Sequence, residues 1–332
     1  MDFMNEQIDF LAIGDVVTDV FIKIKDAEVT CDIDEHNCKL SMRFGDKIPY
    51  ESAEEIRAVG NSSNAAVSAA RLGIKSALMA NIGKDFHGEN CLSELKKNGV
   101  STAFVGIHEG IATNYHYVLW YDVDRTILVK HAHFPVSFPK DMPAPKMIYL
   151  SSLGENTEEY HKEIAAYIAA HPEVKLVFQP GTFQMNLAPE IVTPIYKHSY
   201  AFFCNLEEAK RILQTEENDP KTLLHMIHRL GPKLVFISDG IKGAYASDGT
   251  ESYFMPIYPH APYERTGAGD AFSSTISVAL LLGKPLKEAL SWGPVNSMSV
   301  VQYVGAQKGL LSMDALQKYL AEAPSDYQPK VI

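Results

Sequence analysis

Glu264-Arg265-Thr266-Gly267-Ala268-Gly269-Asp270 runs directly into an apolar stretch over 271–282. Two glycines flanking an alanine, then a helix-length hydrophobic segment, predict a tight turn that opens into a buried helix. The first amides of a helix have no internal partners and carry the positive end of its dipole, so such a turn is a ready anion site. Glycine lets the backbone approach a ligand where a Cβ would collide. Asp270 stands out here, because a carboxylate repels phosphate unless it takes a proton from the group that attacks that phosphate. The plain alternative is a first-turn acid favoured by the helix dipole.

The chain around this stretch has 332 residues, enough for one large domain or a core domain with a smaller appendage. A charged fraction of 21% and a hydrophobic fraction of 46% are ordinary for a soluble globular protein. A net charge of -11 argues against a nucleic-acid surface, which needs clustered lysine and arginine. The beginning of the chain lacks the pattern of a signal peptide, and the longest apolar runs are too short to span a membrane. Cys31, Cys38, Cys91 and Cys204 have no metal spacing, and so few cysteines lead us to expect reduced thiols and a cytoplasmic protein.

From the start of the chain, 8–14 reads as a buried strand ending at Gly14, with Asp15 and Asp19 at the edge where open α/β sheets bind ligands. Residues 21–24 and 39–44 alternate apolar and polar, as do 115–121 and 126–131 across the turn Asp122-Val123-Asp124-Arg125. Together they predict a small β-sheet lid, formed by about 20–50 and 113–131 and inserted into one domain. Between the lid pieces, Gly60-Asn61-Ser62-Ser63-Asn64 leads into a small-residue helix, with Ser62 or Ser63 as its cap and Asn64 able to grip a hydroxyl. From 147 onward strands alternate with helices at 158–170, 189–197, 206–213, 220–230, 285–304 and 313–321. Such alternation predicts an open, mostly parallel sheet flanked by helices.

Asn205 and Glu208 sit at a strand-to-helix junction with the spacing of a capping box, and the same oxygens suit the water shell of Mg²⁺. Ser238, Gly240 and Gly243 close another strand in a glycine turn fit for a nucleotide. Neither a P-loop nor a dinucleotide fingerprint occurs, which speaks against a nicotinamide oxidoreductase.

In chain order, Gly14-x4-Asp19, Gly60-Asn61-x2-Asn64, Gly83-x-Asp85-x2-Gly88, Asn205-x2-Glu208, Gly240-x2-Gly243 and Thr266-Gly267-Ala268-Gly269-Asp270 resemble the ribokinase-like (PfkB-type) sugar and nucleoside kinases. The resemblance implies an ATP- and Mg²⁺-dependent kinase acting on a hydroxymethyl group of a sugar. It assigns Asp270 as the general base and the amides of Gly267, Ala268 and Gly269 as the anion hole. It assigns Asp15, Asp19, Gly60, Asn61 and Asn64 to the acceptor, and Asn205, Glu208, Ser238, Gly240, Gly243, Arg265 and Thr266 to the nucleotide. Glu208 is then the Mg²⁺ contact, through water. The resemblance also brings in a monovalent cation, although Glu264-Arg265 stand where Asp-Thr often precedes this run. Asn61 replaces the second glycine of the family's usual pair, and Arg265 is placed to touch phosphate. Two further readings are a nucleoside (adenosine-like) kinase, with Tyr115, His116, Tyr117 and Trp120 stacking a base, and a sugar- or nucleotide-binding regulator without turnover. Exposed lid edges add the expectation of a homodimer through the lid.

Overall fold

A computed structural model describes residues 8–31, 38–122, 124–139 and 141–332. Val123 in the expected hairpin turn, and 32–37 within the long lid segment, lie outside that set. The N-terminal half opens with β1 (Phe10–Ile13), β2 (Val17–Ile24), β3 (Glu28–Thr30), β4 (Lys39–Ser41) and β5 (Tyr50–Val59). Then come α1 (Asn61–Arg71), β6 (Ser76–Gly83), α2 (Phe86–Lys97), β7 (Ser101–His108), β8 (Tyr115–Tyr121) and β9 (Asp124–Leu128). The middle of the chain forms β10 (Met147–Leu150), α3 (Glu158–Ala170), β11 (Lys175–Phe178), α4 (Thr182–Met185), α5 (Pro189–His198) and β12 (Ser199–Asn205). After α6 (Leu206–Leu213) and α7 (Pro220–His228) follow β13 (Leu234–Ser238), β14 (Ala244–Ser247) and β15 (Ser252–Met255). The chain closes with α8 (Ala268–Leu281), α9 (Leu286–Val300), α10 (Met313–Ala321) and β16 (Lys330–Val331).

Ten strands form one sheet in the order β16-β15-β14-β13-β12-β11-β10-β1-β6-β7. From β7 to β13 every pairing is parallel, and β14, β15 and β16 add antiparallel strands at one edge. Strands β1 and β10 are buried at every position, as expected of parallel strands covered on both faces. One core lies between the sheet and α1, α2, α8, α9 and α10. A second lies under α3, α5, α6 and α7. From β1 the chain builds outward to β6 and β7, then returns to β10 on the other side, so a ligand crevice opens at their carboxyl ends.

A separate four-stranded sheet, β5-β2-β8-β9, forms the lid. It takes in Tyr50–Val59, a strand that begins where the first expected lid segment ends. Trp120 of the lid packs edge-on against Tyr263 of the main domain, with ring centroids 5.4 Å apart. The hairpin β3–β4 stands apart as its own two-stranded sheet. Its register, Thr30 opposite Lys39, sets Cys31 against Cys38, and the two form a disulfide. The expectation of reduced thiols is therefore corrected for this pair, while Cys91 and Cys204 are free and buried. Among the described residues no helix is long and apolar enough to cross a membrane.

Candidate active site

Helix α8 begins where the glycine turn predicts. Gly267 caps it with a left-handed backbone (φ 82°), and a Cβ there would sit 2.4 Å from that of Ala306. Glycine is required on both counts. The serines on α8 are buried and hydrogen-bond back to helix carbonyls, as Ser274 Oγ does to Asp270 O (2.6 Å). That leaves the helix apolar enough to pass through the core, with its amino end at the crevice.

Asp270 is 9% exposed, and its small open face lines a cavity of about 590 Å³. The amide of Asn64 donates to Oδ2 at 2.7 Å, and Gln179 Nε2 donates to Oδ1 at 3.3 Å. Neighbouring donors fix both amides. Tyr149 Oη and Ser273 Oγ (2.8 Å) donate to the Gln179 carbonyl, and Gln307 Nε2 donates to that of Asn64 (3.0 Å). Each amide thus turns its NH₂ toward the carboxylate. Burial pushes the Asp270 carboxyl up to about 6, against the pull of these two hydrogen bonds and with a further push from Glu208. A base titrating near neutrality is suited to proton abstraction.

The same cavity gathers Asp15, Asp19, Gly60, Asn61 and Asn64, the expected acceptor residues. It also holds two pairs that the sequence did not reveal: His131 Nδ1 lies 3.2 Å from Asp15, and His116 Nδ1 lies 3.4 Å from Asp19. The two imidazoles meet edge to face at 5.2 Å, and Phe183 packs on His131. Among the hairpin aromatics expected to stack a base, only His116 lines the cavity. Tyr115 packs on His87 and donates to Glu55, Tyr117 packs on Tyr115, and Trp120 is turned to Tyr263. Ser62 and Ser63 do not cap α1, because Ser62 Oγ donates to Asp15 O (3.2 Å) and Ser63 Oγ to Ala58 O.

A second cavity of about 560 Å³ adjoins the first and is lined by Asn205, Ser238, Gly240, Gly243 and Arg265, with Ile241, Ile257, Pro262, Pro294 and Val301 as apolar walls. Ala268, Gly269, Arg265 and the lid residue Arg125 line both. Glu208, Thr266 and Gly267 line the first. The amino end of α8 therefore lies at the seam between two compartments.

Asn205 and Glu208 form a reciprocal capping box, Glu208 N to Asn205 Oδ1 and Asn205 N to Glu208 Oε2, both 2.8 Å. Burial raises the Glu208 carboxyl above its ordinary range. One hard oxygen beside the seam, with no cluster of three acidic or imidazole groups among the described residues, fits Mg²⁺ held mainly by phosphate and water. Glu264 is 1% exposed, and its carboxylate accepts from Thr266 N (2.8 Å), Thr266 Oγ1 (2.6 Å) and Gly305 N (3.3 Å). With three donors of the chain already on it, Glu264 does not fit a monovalent-cation ligand. Asp85 of the glycine motif at 83–88 lies outside both cavities and caps α2 (Gly88 N to Oδ1, 2.8 Å).

Two adjoining cavities with a buried carboxylate and a helix amino end at their seam are an arrangement suited to a phosphotransferase for small molecules with an alcohol acceptor. The chain belongs to the pfkB family of carbohydrate kinases, whose profile matches residues 22–313. It is 28% identical over 269 residues to the ribokinase of Bacillus subtilis strain 168, covering 79% of this chain and 87% of that one. It is 23% identical over 287 residues to the 5-dehydro-2-deoxygluconokinase of the same organism, covering 80% and 87%. Its fold matches Arabidopsis thaliana ribokinase, solved with ribose and ATP, at a TM-score of 0.78 and 20% identity, covering 95% of this chain and 99% of that one. It also matches a Methanocaldococcus jannaschii nucleoside kinase of the ribokinase family, at 0.76 and 17% identity, covering 96% and 99%. The protein is a sugar or nucleoside kinase of the ribokinase family.

Proposed function

We propose that this protein transfers the γ-phosphoryl group of ATP to a hydroxymethyl group of a sugar, in the cytoplasm. The observation that carries the reading is Asp270, buried yet open to the cavity, in the first turn of a helix whose first residues, Ala268 and Gly269, line both cavities. Asp270 takes the proton of the acceptor hydroxyl as its oxygen bonds to the γ-phosphorus, and the bridging oxygen leaves with ADP. The amides of Gly267, Ala268 and Gly269, with Arg265 and Thr266 beside them, stabilise charge on the transferred group. Such transfer is chiefly positioning and electrostatics. Mg²⁺ would supply charge neutralisation on the phosphates when bound, and Glu208 with Asn205 would hold it through water.

Asp15 and Asp19, each beside a histidine, face the acceptor. Paired carboxylate and imidazole suit vicinal hydroxyls, with Gly60, Asn61 and Asn64 completing the wall, and favour a neutral polyol over a sugar phosphate. The edge-to-face wall of His131 and Phe183 supports a nucleoside as the second reading, since it offers an aromatic surface to a base. β5 and β9 are the outer strands of the lid sheet and are exposed over much of their length, which supports a homodimer through the lid. A monomer in solution scattering would remove that part alone.

The deciding experiment is ADP release from ATP across a panel of pentoses, hexoses, sugar phosphates, sugar acids and nucleosides. Stimulation by a neutral sugar is expected. Stimulation by nucleosides alone selects the second reading, and stimulation by nothing selects a binding protein without turnover.

A further inference from the structure

Gly305, Ala306 and Gln307 follow α9, and each meets a different part of the site. Gly305 (φ +83°) lies against the lid, since a Cβ there would sit 2.1 Å from Ile56 Cδ1 of β5. Ala306 fills the space that keeps Gly267 a glycine. Gln307 is 6% exposed, and its single NH₂ group is shared in two directions: to Ala58 O at 2.7 Å and to Asn64 Oδ1 at 3.0 Å. Ala58 has a left-handed backbone (φ 56°) near the end of β5, where the lid joins α1. Asn64 in turn donates to Asp270 Oδ2.

We propose that Gln307 is a positioning residue that ties the root of the lid to the base, aiming the Asn64 amide at Asp270 only while Ala58 O holds the same NH₂ group. The chemistry is specific to an amide at 307. With its carbonyl occupied by a donor, Asn64 has only its NH₂ to offer the carboxylate. Remove that donor, and the amide is free to turn its oxygen toward Asp270, an acceptor against an acceptor. Because Ala58 lies on the strand that carries Ile56 onto Gly305, displacement of the lid shifts Gln307, Asn64 and Asp270 together. The inference rests on Asp270 acting as the base.

The test uses the full chain and the acceptor that the panel yields. Gln307→Met keeps the length and removes the donor; Gln307→Glu keeps the shape and puts an acid there. Besides Asn64 and Gln179, the groups facing Asp270 are Glu208 of α6, Arg125 of β9 and Tyr149 of β10, all unchanged in both variants. Each variant is expected to lower kcat by about ten- to a hundredfold, the range for small misplacements of reacting groups, with KM for ATP unchanged. The acidic limb of the kcat–pH profile is expected to move to higher pH, because the carboxylate loses a donor that favours its charged form. In an Asn64→Leu background, Gln307→Met is expected to add no further loss. Amide hydrogen exchange at 56–60 without substrates is expected to quicken in both variants, a readout independent of turnover. A folded variant with wild-type kcat and an unmoved acidic limb overturns the proposal, as do losses that multiply with Asn64→Leu. Turnover retained by Asp270→Asn would instead remove the base itself. An inactive Asp270→Asn beside a fully active Gln307→Met would sink this inference alone.

Discussion

The cavity proposed for the acceptor draws its walls from the lid, the start of α1, the loops after β1, β10 and β11, the ends of β12 and β13 with the start of α6, and the amino end of α8. The donor cavity, Arg125 aside, is built from 205–301. The first is lined by carboxylates beside imidazoles and by amides that hydrogen-bond Asp270 across long stretches of chain, Asn64 and Asp270 being 206 positions apart. The second is walled largely by Ile241, Ile257, Pro262, Pro294 and Val301. Hydrogen-bonded groups act as a unit and respond non-additively, whereas apolar walls contribute in small separable increments. Acceptor-side changes should therefore be large and coupled, and donor-side changes small and additive.

The greatest expected effect is that of Asp270→Asn, which should lower kcat by about 10²–10⁴, the usual contribution of a general base, while leaving nucleotide affinity intact. Single-turnover kinetics beside calorimetric ATP binding would show it; a parallel loss of ATP binding would mean that the two cavities are not separable. The same variant should also lose one pH dependence of stability that the parent has, although its new NH₂ must face a donor, Asn64 or Gln179. Ionising a carboxyl raised from the ordinary 3.9 or so to about 6 costs the fold nothing below about pH 4. The cost grows through that interval and is complete above it. Relative to its value at pH 4 and below, the stability difference between Asp270→Asn and the parent should move in the variant's favour by about 3 kcal/mol at pH 8 and by about half that at pH 5. Equal gains at the two pH values would assign the effect to packing instead.

Asp19→Asn comes next, with an acceptor KM raised about tenfold, in keeping with loss of one charged hydrogen bond, and an unaltered KM for ATP. A matching rise for ATP would contradict the division of labour. At the small end, Ile257→Ala should raise KM for ATP by only about two- to fivefold, since a half-buried side chain loses roughly 1 kcal/mol of apolar contact. If it abolished activity, the donor wall would be as tightly coupled as the acceptor wall.

The same contrast explains what could be read from the sequence. The helices at 158–170, 206–213 and 313–321 carry their own periodicity, the last two with side-chain caps at Asn205 and Ser312, and all three form at those bounds. The glycine turn at 264–270 is legible because its chemistry is local, and the family profile spans it. Strand β5 was not legible: YESAEEIRAV lies exposed over most of its length, so no apolar alternation marks it. Pairs such as Asp15 with His131, or Gln307 with Asn64, leave no local signature because folding alone brings them together. Cys31 and Cys38 are readable as a pair only once the β3–β4 register is known.

The capping box at Asn205 and Glu208 has a bearing on how variants of this region are interpreted. One oxygen of each side chain already fastens the first turn of α6, so the residues proposed to hold the ion's water shell double as structural fasteners. On the proposed reading, a Glu208 substitution therefore changes helix integrity and ion handling at once. Only Gln at that position, which keeps an oxygen for Asn205 N while discarding the charge, isolates the electrostatic share.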